Sequence, residues 1–268
     1  MPRTVVFLHG AWVTPACWDS FVAFFEARGY RCLAPAWPGK DRPVEAIRAD
    51  PSALAGLGIA EIVASYERVI RGLDEPPLLV GHSFGGLFVQ ILLDRGLGAA
   101  GVAIDPAPPR GVIVYEPSAF RSLIGVLATP RGWRKVVRWS FERFRYAFVH
   151  TLPEADARAA YEAQVVPETG RVFFQGALSM LDRHSPATIR FDNLDRAPLL
   201  LIAGLADRIV PASIVRRTFR KYVKAASSIT DHREFPGRTH WIIAEPGWEE
   251  VATAAAEWLD AKAPAPAG

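Results

Sequence analysis

The chain has 268 residues, 50% of them hydrophobic and 22% charged, with 8 tryptophans and a formal net charge of +3. That is enough apolar material for one sizeable core, which excludes a disordered chain and a disulfide-stapled miniprotein. Glycine and proline follow no period and no run of about twenty apolar residues occurs, so collagen-like, coiled-coil and membrane-spanning readings fail.

The first apolar run, 5–8, predicts a strand. It follows Met1-Pro2-Arg3-Thr4 directly and is too short for a signal-peptide core, so the expected compartment is the cytoplasm, or the outside from a precursor whose leader is missing. A helical pattern over 18–28 stops at Gly29 and leads to a second strand at 31–34. Helix 59–73 precedes a third strand at 78–80. Helix 87–93 precedes a fourth at 101–104. A fifth strand is expected at 199–203. Helix 213–223 leads to a sixth at 228–235, and a last helix covers 248–261. Strands that alternate with helices imply a parallel sheet covered on both faces. Cys17 and Cys32 make no disulfide framework and are expected as reduced thiols.

One connection breaks this rhythm. Ordinary links in such units run about 2–6 residues, yet the stretch 106–197 separates two core strands. Helical patterns are expected at 131–149, 154–165 and 171–181, with Pro117, Pro130, Pro153, Pro167 and Pro186 as breaks. The expected organisation is a core of 1–105 and 198–262, a helical cap inserted at 106–197 over the carboxyl ends of the strands, and a disordered tail at 263–268. Between Arg121 and Arg145 basic residues far outnumber the single acid, Glu142, and they oppose an apolar face of Trp133, Val136, Val137, Ser140, Phe141, Phe144 and Phe148. This reads as a surface helix with a solvated basic face; the alternative is a surface that meets anionic lipid or an acidic substrate. A nucleic-acid partner is not expected, since no aromatic-interleaved basic motif of a known module is present, and membrane contact is not the expected role.

The segment Leu78-Leu79-Val80-Gly81-His82-Ser83-Phe84-Gly85-Gly86 is strand, turn and helix with Ser83 at the apex. A nucleophile on so tight a turn forces its neighbours two residues away into close contact, hence Gly81 and Gly85. The following helix points its amide end at the reaction centre, where negative charge develops. The competing reading, a dinucleotide loop with Asp105 as the ribose acid, fails because that fingerprint needs glycine at position 83.

A serine needs a base and an orienting carboxylate. His240 lies in the loop after the last strand and Asp207 follows the fifth, both at carboxyl ends. The bland alternative for Asp207 is a cap or turn near Pro211, and Asp105 is the substitute acid. His82 is expected to point into the fold, His9 to brace its loop, and His150, His184 and His232 to be surface or core residues. Two backbone amides would stabilise an oxyanion: that of Phe84, and that of Ala11 in the loop Leu8-His9-Gly10-Ala11-Trp12, with the Trp12 amide as the alternative. Trp12, Trp37 and Trp241 are the candidate pocket residues, joined by Phe84, with burial in the core as the equal alternative.

These residues together, His9-Gly10, the elbow around Ser83, Asp207 and His240, resemble the α/β-hydrolase superfamily over nearly the whole chain. The loop His-Gly-Ala-Trp is similar to that of the subgroup of plant-type esterases and hydroxynitrile lyases. The chain opens at what is usually the third strand of the family. The resemblance therefore implies an α/β-hydrolase fold with about six mostly parallel strands. It also implies a serine esterase acting on an ester, thioester or lactone as its small-molecule substrate through an acyl-enzyme. Carbon–carbon hydrolysis, hydroxynitrile lysis and perhydrolysis on the same site, and a non-catalytic small-molecule receptor, remain alternatives. Ser83 stands where epoxide hydrolases and haloalkane dehalogenases carry aspartate, which argues against those activities. No metal or organic cofactor is implied, because the chain has no H-E-x-x-H and no cysteine cluster. A homodimer is left open.

Overall fold

The structure, a computed structural model, describes residues 3–225 and 228–263, so the expected tail lies outside it from residue 264 onward. The first half of the chain carries strand β1 (Thr4–Leu8), helix α1 (Asp19–Glu26), β2 (Arg31–Leu33), α2 (Val44–Ala49), α3 (Ile59–Arg71), β3 (Leu78–His82), α4 (Phe84–Asp94) and β4 (Ala100–Ile104). Between β4 and the next core strand come α5 (Pro117–Leu127), β5 (Val136–Val137), α6 (Phe141–Ala147), α7 (Glu154–Gln164), β6 (Glu168–Thr169) and α8 (Arg171–Ala177). The chain then re-enters the sheet with β7 (Leu199–Gly204), followed by α9 (Ala212–Lys224), β8 (Thr230–Phe235) and α10 (Trp248–Lys262).

Six strands form one parallel sheet in the order β2-β1-β3-β4-β7-β8. The three central strands Leu78–His82, Ala100–Ile104 and Leu199–Gly204 are buried along their whole length, which is why they read as unbroken apolar runs rather than alternating ones. The edge strands β2 and β8 carry Arg31, Asp231, Arg233 and Glu234, charges that discourage further pairing. Helices α3, α4 and α9 cover one face and α1 and α10 the other. Nearly all of α4 is buried between sheet and helices. Among the described residues no helix is long and apolar enough to cross a membrane.

The stretch expected as one helix over 131–149 is not one. Arg131 takes a left-handed φ of 54°, residues Gly132–Arg134 form a short turn, and Val136–Val137 pair antiparallel with Glu168–Thr169. Only Phe141–Ala147 is helical, started by Ser140, whose hydroxyl accepts the Arg143 amide. The physical reason is local: a left-handed residue before Gly132 and two adjacent β-branched valines favour turn and strand over helix. Phe141, Phe144 and Phe148 are buried as that apolar face suggested, whereas Trp133 is 45% exposed. Helix α5 was not expected; Pro117, read as a break, instead occupies its first turn, where a missing amide costs nothing.

Candidate active site

Ser83 caps α4 from a strained backbone, with φ 57° and ψ −121°. Close approach explains the flanking glycines. A Cβ on Gly85 would lie 1.9 Å from the Leu8 carbonyl oxygen, and one on Gly81 would lie 2.3 Å from that of Gly85. Four non-glycine residues have positive φ among the described residues, and three of them, Trp12, Ser83 and Asp105, follow β1, β3 and β4. Strain of this kind persists only where the surroundings over-determine it.

His240 and Asp207 meet. Nδ1 of the imidazole lies 2.5 Å from Oδ2 of the carboxylate, and both side chains are fully buried. The other carboxylate oxygen accepts the amides of Ile209 and Val210 at 2.7 and 2.8 Å. The turn role weighed for Asp207 is therefore real, and it aims the second oxygen at the histidine. Nδ1–H donating to the carboxylate leaves a lone pair on Nε2, which is buried and has no partner among the described residues. A buried nitrogen without a partner is costly.

The loop after β1 runs beside the elbow: a Cβ on Gly10 would stand 2.7 Å from that of Ser83. Phe84 starts α4, so its amide is one of the free amides of a helix N-terminus. Of the two amides weighed in the β1 loop, that of Trp12 is already committed, donating to Glu168 Oε2 at 2.9 Å. The Ala11 amide has no acceptor among the described residues. His9 braces the loop. It accepts the Trp37 amide on Nε2 at 3.2 Å and donates from Nδ1 to the Gly10 carbonyl at 2.8 Å. Burial holds its pKa well below 6.5, so it stays neutral.

An apolar cavity of about 260 Å³ opens on Ser83, lined by Trp12, Phe84, Leu123, Phe173, Ile209 and others, none charged. Trp12 is sandwiched between Trp139 and Phe173, with ring centroids at 3.4 and 4.3 Å. Trp37 and Trp241 correct the expectation: neither lines this cavity. Trp37 is packed against His9 and Phe88, and Trp241 against Phe144 and Phe148, because each ring finds an aromatic slot on the inner side of its loop.

His82 Nε2 donates to the His240 carbonyl at 2.8 Å. Burial first, and nearby His240 second, hold its pKa well below 6.5. Asp105 accepts the Gly204 amide at 2.7 Å. Burial, then the Asp207 charge, push its carboxyl well above the ordinary range. His82, Asp105 and His240 bring donor atoms within 4.8 Å of one another. His240 is already bound to Asp207 through Nδ1, while His82 Nδ1 and Asp105 Oδ2 have no hydrogen-bond partner among the described residues. His184 is exposed, and His150 and His232 are half-buried. Glu245, Glu168 and Lys40 were not foreseen. Glu245 takes the Thr239 amide and hydroxyl at 2.9 and 2.5 Å and so braces the loop of His240.

The sequence profile of the alpha/beta hydrolase family matches residues 5–254, and the chain belongs to that family. Solved structures similar in fold include a monoacylglycerol lipase from Paleococcus ferrophilus (23% identity, TM-score 0.69, covering 98% of this chain and 96% of that one). A pyrethroid hydrolase from Sphingobium faniae is also similar (19%, TM-score 0.67, 97% and 98%), as is tomato methylketone synthase I (14%, TM-score 0.69, 98% and 99%). No curated protein sequence matches the chain.

Proposed function

We propose that the protein is a carboxylic ester hydrolase in which Ser83, His240 and Asp207 form the catalytic triad. The observation that carries this reading is the 2.5 Å contact of His240 Nδ1 with Asp207, which leaves Nε2 as a buried free base on the loop stapled to the residue before Ser83. Ser83 Oγ attacks the ester carbonyl while His240 Nε2 takes its proton, and Asp207 stabilises the imidazolium. The oxyanion is held by the Ala11 and Phe84 amides. Collapse expels the alcohol, which takes the proton back, and leaves an acyl-serine that water hydrolyses by the same relay.

The apolar, uncharged cavity suits a neutral acyl group, in an ester, thioester or lactone. Residues 106–197 act in this reading as a cap, because helices α5 and α8 supply much of the cavity wall. The names of the lipase and the pyrethroid hydrolase favour hydrolysis. The name of the methylketone synthase is a reminder that the fold does not fix the reaction; ester hydrolysis rests on the site. A fluorophosphonate should add covalently to Ser83 of the wild type and not to Ser83→Ala. The same substitution should lower kcat on short p-nitrophenyl esters by about 10⁴- to 10⁶-fold. Full esterase activity in Ser83→Ala would overturn the proposal.

A further inference from the structure

Glu168 and Lys40 are both fully buried, an arrangement rare for charges and costly without partners. They are far apart along the chain. Lys40 follows β2, and Glu168 sits on β6 within the segment between β4 and β7. Their head groups meet at 2.5 Å, and both also reach the loop after β1. Glu168 Oε2 also accepts the Trp12 amide at 2.9 Å. Lys40 Nζ donates to the Val13 carbonyl at 3.0 Å and lies over the Trp37 ring, 4.4 Å from its centroid. The second carboxylate oxygen accepts the Thr169 amide at 2.8 Å. Two residues before Glu168, the Val166 amide donates to the Trp12 carbonyl at 2.8 Å. Both backbone polar groups of Trp12 are thus tied to the same short segment, at a residue whose φ of 63° an L-amino acid rarely adopts.

We propose that the buried Glu168–Lys40 pair positions the oxyanion hole, clamping the loop after β1 so that the Ala11 amide, and not the Trp12 amide, stays free beside Ser83. Without the carboxylate the Trp12 amide would lose its acceptor, its left-handed backbone would relax, and the peptide that carries the Ala11 amide would drift. Glu168 and Lys40 are positioning residues and touch no substrate. This inference rests on the proposed role of Ser83.

The test removes the charges together, since one left alone would be a buried unpaired ion. The double variant Lys40→Met/Glu168→Leu should lose about 10- to 100-fold in kcat on a p-nitrophenyl ester, with KM within about threefold, because the loss falls on the transition state. Affinity for an alkylboronic acid, whose adduct with Ser83 is tetrahedral and anionic, should fall by the same factor. Lys40→Met/Glu168→Gln keeps an oxygen for the Trp12 amide and should recover most of both. Wild-type kcat and boronic acid affinity in a folded Lys40→Met/Glu168→Leu enzyme overturn the proposal. A measurement on the wild type needs neither variant nor turnover: the Trp12 amide should exchange hydrogen as slowly as those of β1. Exchange at the rate of an open loop overturns the clamp. A protected Trp12 amide in a protein that ignores esters and boronic acids would instead overturn the reading of Ser83 and leave the clamp standing.

Discussion

His82 and His240 are joined by a hydrogen bond of 2.8 Å, from the imidazole Nε2–H of the first to the backbone carbonyl of the second. The residue before Ser83 therefore holds the loop that carries His240. Because burial keeps His82 neutral, the bond does not depend on acid. His82→Phe removes the donor and leaves a buried carbonyl unpaired, at a cost of about 1–3 kcal/mol. We expect kcat to fall about tenfold or more, with the rate of fluorophosphonate labelling of Ser83 falling in parallel. Unchanged labelling would show that the staple is dispensable.

Asp207 and Asp105 should respond very differently to the same change. Asp207→Asn removes the charge that fixes the tautomer of His240 and should lower kcat by about 10⁴-fold. Asp105→Asn replaces a carboxyl that burial and Asp207 already keep neutral, so kcat should stay within a few-fold. A comparable loss in both variants would mean that Asp105 works as an ionised acid.

The raised pKa of Asp105 also has a thermodynamic consequence. Its carboxyl ionises in the unfolded chain near about pH 4 but stays protonated in the folded one. The folded state then binds more protons, so stability falls as pH rises above the unfolded value towards the raised folded one. Asparagine carries no such proton. Asp105→Asn should gain in Tm over the wild type as pH increases from 4 to 8, with the difference vanishing at the acid end. Parallel Tm profiles for the two proteins would contradict the assignment.

The uncharged cavity predicts a chain-length series. Each added methylene of the acyl group is worth about 0.8 kcal/mol when buried, close to a fourfold rise in kcat/KM per carbon until the space is filled. Leu123→Trp, which intrudes on the lining, should move the optimum to shorter chains. Acyl groups that end in a carboxylate should be poor substrates. A flat series from acetyl to decanoyl would dissociate the cavity from the acyl group.

The core strands were legible because a strand buried on both faces has no polar alternation to hide it, and 78–80 or 199–203 stand out as apolar runs. Ser83 and Asp207 are legible because each follows such a run, whereas His240 follows the polar edge strand β8 and is found only from its place after the last strand. Their neighbours are not. Lys40 sits in an unremarkable loop between Gly39 and Asp41, and nothing local announces that Glu168 will meet it; only the folded chain brings the two together. The stretch 131–149 misled for the opposite reason. Its apolar spacing fits a helix, but Gly132 and the Val136–Val137 pair carry backbone preferences that spacing ignores. Position alone does not tell where the rings of Trp37 and Trp241 point, because a loop near the mouth can still turn its ring inward.

The Val166 amide on the Trp12 carbonyl and the Glu168 carboxylate on the Trp12 amide are both supplied from the excursion between β4 and β7. That excursion is accordingly not an interchangeable lid. A chimera that grafted another hydrolase's excursion onto this scaffold would carry away part of the anchorage of the loop after β1 along with the cavity wall. Re-engineering of selectivity is better confined to α5 and α8, leaving the β5–β6 ribbon and its two anchors untouched.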